Sequence, residues 1–562
     1  MKSYASVAGD RWANIGELKA AGARHTFGVS EKGMPGGPML HWSGSEAYLL
    51  PVRHTAILGG TGAGKTQSVL LPALLASIDQ GESCIVNDPK GGELYRYTAE
   101  YAKARGYKVI VLNFSAPEKS ARWNCFSVVE DSWKRGDQFL SDQYLSDIAQ
   151  VIYERHIHDA KDPFWGQAAS QYFTGLAQIA RQVGSPITFE SIMKLHLEGK
   201  KKIGIEAIIK RWLECFDRDN KIRANLSVDV DAPNDTRLSI EAVFSAPMNE
   251  YCQSGLSAMT ARNSFDYAEF GTERCIVYLV TPPIRSTFDP LVSLFVKQAI
   301  SVLTEGEPLR RPVTFFLEEF SSLPKIVDLD LAISMARSYN IRFILCAQNS
   351  EQLRARYGDS TDTIINNCGC LYVMRSKDRK FYEQYIQPLC GTKILPHSER
   401  SYPLVSFSDI QHFRCGQVLI LLDGVYPCVT QFPQIGELGV PLKESHLCDI
   451  PKQPDAAPPA YYSMEQAVKE EHRRRTEEAM REAESERIQR EWEMSKSNPF
   501  RAGQVHEKAE KVPPEERDVI ADDDDESDFE FDEDAIMEAL IDLGLDGDED
   551  GNKGGDEAWS VV

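Results

Sequence analysis

The sequence predicts an α/β protein whose parallel β-sheet is covered by helices on both faces and is interrupted by an all-helical insertion. From residue 51, apolar stretches such as SCIVND and KVIVLNF alternate with amphipathic stretches such as GELYRYTAEYAKARG. The apolar strands stop between about residues 128 and 262, where apolar residues recur at helical spacing, and they resume with CIVYLV. This alternation is typical of a parallel sheet that is buried on both faces.

Changes in composition divide the chain into segments. The stretch DIPKQPDAAPPA is rich in proline and reads as a linker, and the charged stretch after it is rich in helix formers. We interpret the charged stretch as a single solvated helix, with a coiled coil as the alternative. The predicted segments are an N-terminal segment (1–50), the α/β domain in two parts (51–127 and 263–448), the inserted all-α domain (128–262), the linker (449–460), the charged helix (461–500) and an acidic disordered tail (501–562).

Most of the net charge lies in the tail. The chain has a formal net charge of −22, and from Asp518 onward it contains nineteen acidic residues and one lysine. The rest of the chain is therefore close to neutral and shows no strong electrostatic signature of nucleic-acid binding. The tail either attracts a basic partner, such as an adaptor, or only solubilises the protein. Its apolar-acidic stretch 533–547 either folds as a helix on a partner or stays collapsed.

The cysteines and the N-terminus indicate the compartment. Twelve cysteines are scattered without a C-x-x-C pair, which predicts buried thiols in a reducing compartment and no zinc site. The first twenty residues do not resemble a signal peptide, and no window approaches about eighteen uninterrupted apolar residues. These observations predict a cytoplasmic protein without a transmembrane segment.

A glycine-rich loop predicts a nucleotide site. The stretch GGTGAGKT at 59–66 fits the pattern G-x-x-x-x-G-K-[ST] between an apolar strand and an amphipathic helix. Glycines let backbone N–H groups curl around phosphate oxygens at a helix N-terminus. Lys65 would reach the β and γ phosphates of ATP, and the Thr66 hydroxyl would bind Mg²⁺. The candidate nucleotide-binding residues of the loop are Gly59, Gly60, Thr61, Gly62, Ala63, Gly64, Lys65 and Thr66.

An acidic pair follows a later apolar strand. The stretch TFFLEEF ends the strand in Glu318 and Glu319, about 250 residues after the glycine-rich loop. Glu318 would hold the Mg²⁺ water shell, and Glu319 would orient and deprotonate the attacking water. The alternative is that both glutamates only cap a strand in solvent.

Two further polar residues flank the next strand. Gln348 stands at the end of RFILCAQ, where an amide contacts the γ-phosphate or the attacking water. Arg337 precedes the same strand and either reaches the γ-phosphate of a neighbouring subunit in a ring or forms a surface salt bridge.

Several longer stretches resemble one family. From about Gly44 to Ser445 the chain resembles the coupling proteins of type IV secretion systems, the ATPases of conjugative DNA transfer. The resemblance rests on TGAGKTQSVLLPALL, NDPKGGELYRYTAEYAKARGYKVIVLNF, RWNCFSVV, DPFWGQAASQYFTGLA, FFLEEFSSLPKI and ARSYNIRFILCAQNSEQLRARYG. The glycine-rich loop alone is shared by many families, whereas the second and last stretches around a helical insertion are more specific.

The resemblance implies a fold and an activity. It implies a RecA-like P-loop core that assembles as a hexameric ring and hydrolyses ATP to move relaxase-bound single-stranded DNA, or effector proteins, into a secretion channel. It implies contacts with the inner-membrane components of such a system. By the same resemblance, Lys65 and Thr66 bind nucleotide and Mg²⁺, and Glu318 and Glu319 form the acidic pair. Gln348 is the sensor of hydrolysis, and Arg337 is the trans arginine, which reaches the nucleotide of a neighbouring subunit. Asp88 and Lys90 of NDPKGGEL have a supporting role at a strand end.

Two departures from the family pattern are visible. Members usually begin with two transmembrane helices, and this chain shows none. We therefore expect either that other proteins recruit it to the inner membrane or that it works beside a separate membrane component. Glu318 stands where the family usually has aspartate. Its extra methylene extends the carboxylate by about 1.5 Å, which predicts slower hydrolysis.

The sequence is compatible with three functions. The first is a cytoplasmic coupling ATPase that selects and translocates DNA or protein for a type IV system. The second is an ATP-binding substrate receptor with weak turnover. The third is a DNA translocase outside secretion, which the RWN and Q…YG stretches disfavour.

Overall fold

The computed structural model describes residues 10–29, 35–158, 161–203, 206–217, 219–284, 286–394, 400–454 and 460–497. The predicted acidic tail (501–562), with its apolar-acidic stretch, lies outside the described residues.

The described strands, in chain order, are β1 (Ala23–His25), β2 (Met39–Trp42), β3 (Ala47–Leu49), β4 (Thr55–Leu58), β5 (Ser83–Asp88), β6 (Lys108–Asn113), β7 (Lys202–Ile203), β8 (Glu206–Ala207), β9 (Cys275–Val280), β10 (Val313–Leu317), β11 (Ile341–Ala347), β12 (Cys370–Val373), β13 (Thr392–Ile394), β14 (Ser401–Pro403), β15 (Gln417–Leu422) and β16 (Cys428–Gln431).

The described α-helices are α1 (Ile15–Ala21), α2 (Leu71–Asp79), α3 (Glu93–Lys103), α4 (Ser127–Lys134), α5 (Gln138–His158), α6 (Phe164–Gln182), α7 (Phe189–Gly199), α8 (Ile208–Phe216), α9 (Lys221–Val230), α10 (Asn234–Tyr251), α11 (Ser254–Thr260), α12 (Glu269–Thr272), α13 (Asp289–Leu303), α14 (Leu329–Ala336), α15 (Ser350–Tyr357), α16 (Ser360–Asn366), α17 (Arg379–Phe381), α18 (Gln387–Cys390), α19 (Phe407–Gln411) and α20 (Met464–Ser497).

A nine-stranded sheet forms the centre of the molecule, in the order β16-β15-β12-β4-β11-β10-β5-β9-β6. The seven strands from β12 to β6 are parallel to one another. At the β12 edge, β15 and β16 extend the sheet with antiparallel pairing. The carboxyl ends of all seven parallel strands therefore meet at one edge of the sheet.

Both faces of this sheet are covered, as parallel strands require. Every residue of β5, β9, β10 and β11 is buried. Successive side chains of a strand point to opposite faces. In β10, accordingly, Phe315 and Leu317 belong to one apolar cluster and Phe316 belongs to the other.

Helices fill the stretch between β6 and β9. The helices α4 to α11 run from Ser127 to Thr260, and the two-residue strands β7 and β8 are the only strands among the residues described in this range. Phe126, Tyr153, Phe173 and Phe244 are fully buried among these helices and belong to the larger apolar cluster. The insertion thus has a substantial core that is continuous with one face of the central sheet.

The N-terminal residues form a small sheet that the sequence did not indicate. Strands β1, β3 and β2 pair antiparallel.

Arg342, buried in β11, donates to the Gly36 carbonyl oxygen at 2.7 Å and pairs with buried Glu82. A buried guanidinium needs such partners, because an unpaired charge inside a protein is strongly destabilising.

The beginning of helix α20 packs on the helical insertion. Met464 and Val468 are buried, and the Trp212 indole donates to the Tyr462 hydroxyl at 2.9 Å. The chain from Thr476 onward forms a second unit, in which α20 continues to Ser497 with exposed i,i+4 pairs such as Glu486 and Arg490. Throughout the described ranges, no helix combines the length and the apolar character needed to cross a bilayer.

The prediction of buried thiols is correct for eight of the twelve cysteines. Cys415 and Cys448 are exposed, and Cys215 and Cys252 are half-buried. Cys415 lies in the turn before β15, and Cys448 lies in the short 3-10 turn Leu447–Asp449.

The helical insertion contains two buried acidic residues that lie near each other. Asp229 on α9 is buried near Glu241 on α10, and its Oδ1 has no hydrogen-bond partner in the part of the chain that the structure describes. Burial, reinforced by the charge of Glu241, raises the pKa of Asp229 to about 7. The carboxyl group ionises near pH 4 in the unfolded chain. Its contribution to stability is complete below that pH and is lost as the pH rises through about 7.

We therefore expect Asp229→Asn to stabilise the protein above pH 7 and to change little at pH 4. The gain at pH 8 should be at least about 1 kcal/mol, since one pKa unit corresponds to ~1.4 kcal/mol. Thermal unfolding from pH 4 to pH 8 measures it. Asp231→Asn, at the exposed end of the same helix, is the control. Parallel pH profiles for Asp229→Asn and the wild type would contradict this account.

Candidate nucleotide site

The predicted site residues follow four strands that end at the same sheet edge. The glycine-rich loop follows β4, Asp88 ends β5, the glutamate pair follows β10 and Gln348 follows β11. These strands are parallel and lie side by side in the order β4-β11-β10-β5. Ligands of open α/β sheets bind outside the carboxyl ends of the strands. The geometry therefore brings together residues that are far apart in the sequence.

The glycine-rich loop needs its glycines for backbone shape and for space. Gly62 and Gly64 have φ angles of 73° and 96°, a region that other residues rarely adopt. A Cβ on Gly59 would lie 2.8 Å from Cβ of Met374, which directly follows the neighbouring strand β12. The loop leads into a π-helical turn, Lys65–Leu70, which continues as α2 with Pro72 at its start.

Lys65 and Thr66 are both buried at the start of this helix. The Lys65 ammonium donates to the Gly59 carbonyl oxygen at 2.6 Å and to that of Gly60 at 3.3 Å. The Thr66 hydroxyl donates to Oε1 of Glu318. The loop and the acidic strand, 252 residues apart, are thus in direct contact.

Glu318 is fully buried, so it is not a solvent-exposed strand cap. Its main-chain carbonyl accepts from the Asn87 amide at 2.7 Å, and its Oε2 has no hydrogen-bond partner among the described residues. Burial raises the pKa of the Glu318 carboxyl, and the neighbouring Lys90 ammonium opposes that shift.

Lys90 contributes a positive charge to the middle of the site. Its Nζ lies 2.6 Å from Oε1 of Glu318, 3.0 Å from Oγ1 of Thr66 and 3.8 Å from Oε1 of Glu319. Burial alone would lower the pKa of Lys90, but the carboxylates of Glu318 and Glu319 outweigh burial and raise it.

Glu319 has an unusual backbone conformation for a glutamate. Its φ of 50° lies in the left-handed region, which costs energy for a residue other than glycine and is common at functional sites. Oε1 accepts from the Gln348 amide at 3.1 Å, whereas Oε2 is buried without a partner in the described structure. Glu319 therefore presents a free carboxylate oxygen beside an amide donor.

Asp88 binds mainly to α3, the helix that follows its strand. Oδ2 of this fully buried side chain accepts from the Tyr95 amide of α3 at 2.9 Å, and Oδ1 has no partner among the described residues. Burial raises the pKa of Asp88 to about 7. Asp88 therefore fixes the start of α3 next to the site.

The donor set fits a hard divalent cation. Mg²⁺ takes oxygen ligands, usually one or two carboxylates together with water and phosphate oxygens. Within the described residues, buried carboxylate oxygens without hydrogen-bond partners occur on Glu318, Glu319 and Asp88, and the other carboxylate oxygen of Glu318 accepts from the Thr66 hydroxyl. No sulfur or imidazole group takes part in these contacts.

Arg337 is not brought to this site within the chain. It is exposed in the short turn between α14 and β11, at the amino end of the sheet. Strand β11 rises ~3.3 Å per residue, so Arg337 lies about 20 Å from the carboxyl edge. Its predicted role therefore requires a neighbouring subunit.

Arg375 is a site residue that the sequence did not indicate. It follows β12, its carbonyl oxygen accepts from the Gly60 amide at 2.8 Å, and its guanidinium donates to the Gly62 carbonyl oxygen at 2.8 Å. The strand before it was predicted. Its position beside β4 was not, because apolar periodicity does not give the order of strands.

The comparison with protein families decides the identity. Residues 11–412 match the family described as type IV secretory system conjugative DNA transfer. This match covers most of the chain.

The chain belongs to the type IV secretory system conjugative DNA transfer family.

A curated relative agrees with this family. The chain is 27% identical over 412 residues to protein VirD4 of Agrobacterium fabrum, and the match covers 71% of this chain and 58% of VirD4. The chain thus spans less than two thirds of the length of the curated relatives that it matches first.

Solved structures of similar fold come from plasmid coupling protein TrwB. Its complex with the ATP analogue ADPNP has a TM-score of 0.55 and 17% identity, and covers 76% of this chain and 93% of TrwB. Its complex with ADP and Mg²⁺ has a TM-score of 0.54 and 16% identity, and covers 76% of this chain and 96% of TrwB. The predicted RecA-like α/β fold of this family member is thereby confirmed.

Proposed function

We propose that this chain is an ATPase that recruits relaxase-bound single-stranded DNA, protein substrates or both, and moves them to a type IV secretion channel. The observation that carries the proposal is the contact between the glycine-rich loop and the buried acidic pair. Two segments that are separated by a whole helical domain meet there, through Thr66 and Glu318. Family membership supplies the setting of conjugative DNA transfer.

ATP and Mg²⁺ are the proposed cofactors. TrwB has been solved with ADPNP and with ADP and Mg²⁺, which supports the same ligands here. Gly59 to Thr66 would bind the phosphates through backbone N–H groups and through Lys65. Thr66 and Glu318 would hold the metal ion, which neutralises charge on the phosphates when it is bound.

The remaining groups have distinct proposed roles. The free Oε2 of Glu319 would accept a proton from the attacking water, because the residue combines a buried carboxylate with an unsatisfied oxygen. The Gln348 amide holds the other oxygen of Glu319 and so orients it. Asp88 would act indirectly, by fixing α3, and Lys90 would keep charge balance at Glu318.

The proposed partners follow from the same family setting. A hexameric ring would bring Arg337 of one subunit towards the phosphates of another. A cytoplasmic chain that is peripheral to the membrane would contact relaxase or effector substrates, single-stranded or double-stranded DNA, and inner-membrane secretion components. The domain limits and the adaptor-binding role of the acidic tail remain predictions.

A substrate receptor with weak turnover is the second candidate, and Glu318 is the reason for it. The longer side chain places its carboxylate directly on the Thr66 hydroxyl. If that arrangement persists with nucleotide bound, Glu318 would hold the metal ion at a different position from the one an aspartate would give. The misplaced metal ion would then slow hydrolysis.

We expect the wild type to hydrolyse ATP faster with DNA than without it. Glu319→Gln should lower turnover by roughly 100- to 10,000-fold, the usual contribution of a general base, while fluorescent ADP still binds. Lys65→Ala should abolish nucleotide binding. Glu383→Gln is the control, because Glu383 belongs to an exposed ion pair with Arg379. Background turnover of the wild type with retained ADP binding would support the receptor instead.

For Arg337→Ala we expect loss of hydrolysis without loss of ADP binding, because the arginine would act on the neighbouring subunit. Mixing this variant with Glu319→Gln should restore part of the activity, since some interfaces then contain both intact groups. Exposed Arg379→Ala serves as the control. Unchanged hydrolysis by Arg337→Ala would show that it is a surface residue.

A further inference from the structure

Lys90 binds the very atoms that are proposed to bind the metal ion. Its ammonium donates to Oε1 of Glu318 at 2.6 Å and to Oγ1 of Thr66 at 3.0 Å. Glu318 is fully buried and would otherwise be an uncompensated negative charge. Burying a carboxylate is costly unless a cation pairs with it. Lys90 is therefore the counter-ion of this carboxylate in the chain as it stands.

An ammonium and a divalent cation cannot share these oxygens. Both are positive, both need the lone pairs of Glu318 and Thr66, and the interior screens their repulsion weakly. Metal binding through Oε1 of Glu318 and Oγ1 of Thr66 therefore requires that Lys90 leave. A metal ion that binds without nucleotide must therefore compensate for the lost interaction between Lys90 and Glu318.

We propose that Lys90 is a resident cation that blocks the metal site until a nucleotide brings its own negative charge, so that Mg²⁺ enters only together with nucleotide. This inference rests on the proposed function and adds an order of loading to it. The phosphates would supply both new ligands for the metal ion and a new partner for the displaced ammonium.

The surroundings of Lys90 allow such an exchange. The Lys90 side chain is 39% exposed, in contrast to 0% for Glu318, so the lysine is in contact with solvent. Gly91 and Gly92 follow it directly with φ angles of 69° and 93°. Two left-handed glycines make a turn that other residues do not readily form, and they keep Lys90 outside α3. Glu319, at 3.8 Å, offers a second carboxylate during the movement.

Nucleotide-free metal binding tests the inference without any measurement of activity. Mn²⁺ also takes oxygen ligands, and the free ion gives an electron paramagnetic resonance signal that is lost on binding. We expect the wild type to bind Mn²⁺ weakly without nucleotide and tightly with ADP. Lys90→Met, which keeps the length and removes the charge, should bind Mn²⁺ without nucleotide about tenfold tighter or more, because Glu318 then needs a counter-ion.

Three controls define the result. Lys103→Met, on an exposed pair with Glu100 in α3, should behave as the wild type. The double variant Lys90→Met/Glu318→Gln should lose the gained affinity. Circular dichroism checks folding, and Lys90→Gln replaces Lys90→Met if the latter does not fold.

The outcomes separate this inference from the proposed function. If folded Lys90→Met binds Mn²⁺ no better than the wild type, or if the wild type binds ADP but its Mn²⁺ affinity is the same with and without bound ADP, the inference is overturned. Failure of the wild type to bind ADP at all would contradict the proposed function. The comparison of Lys90→Met with the wild type in the absence of nucleotide would still be decisive for Lys90.

Discussion

A carboxylate that is held out of water needs a cation, and the candidate site is arranged around that constraint. Glu318 is fully buried at the end of β10, and burial raises its pKa. The lysine that pairs with it comes from the loop after β5, and the threonine hydroxyl comes from the loop after β4. Three loops are therefore tied to each other through one oxygen atom.

The order of the strands makes this possible. Strand β11 lies between β4 and β10, and β5 lies on the other side of β10, all in parallel. Parallel strands place their connections at the two edges, so long insertions are accommodated without disturbing the sheet. The helical insertion between β6 and β9 uses this freedom. It adds the helices α4 to α11 without interrupting the strands that carry the site.

Local signals explain which features could be predicted from the sequence. The glycine-rich loop, the apolar strands and the acidic pair each show a pattern within a few residues, and the fold class followed from their alternation. The contact of Lys90 with Glu318, the position of Arg375 and the left-handed backbone of Glu319 depend on strand order and packing. Apolar periodicity carries no information about these, nor about the small sheet near the N-terminus, whose strands are only three or four residues long.

The loop that follows the acidic pair also contacts the helical insertion through α13. Lys297 on α13 pairs with Asp328 at 2.7 Å and lies 3.8 Å from Asp147 on α5. Ser293, one turn earlier, donates to the Pro324 carbonyl oxygen at 3.0 Å. A shift of the loop after Glu319 must therefore either break these bonds or carry α13 and α5 with it. These contacts connect the segment after the acidic pair to the helical insertion through α13.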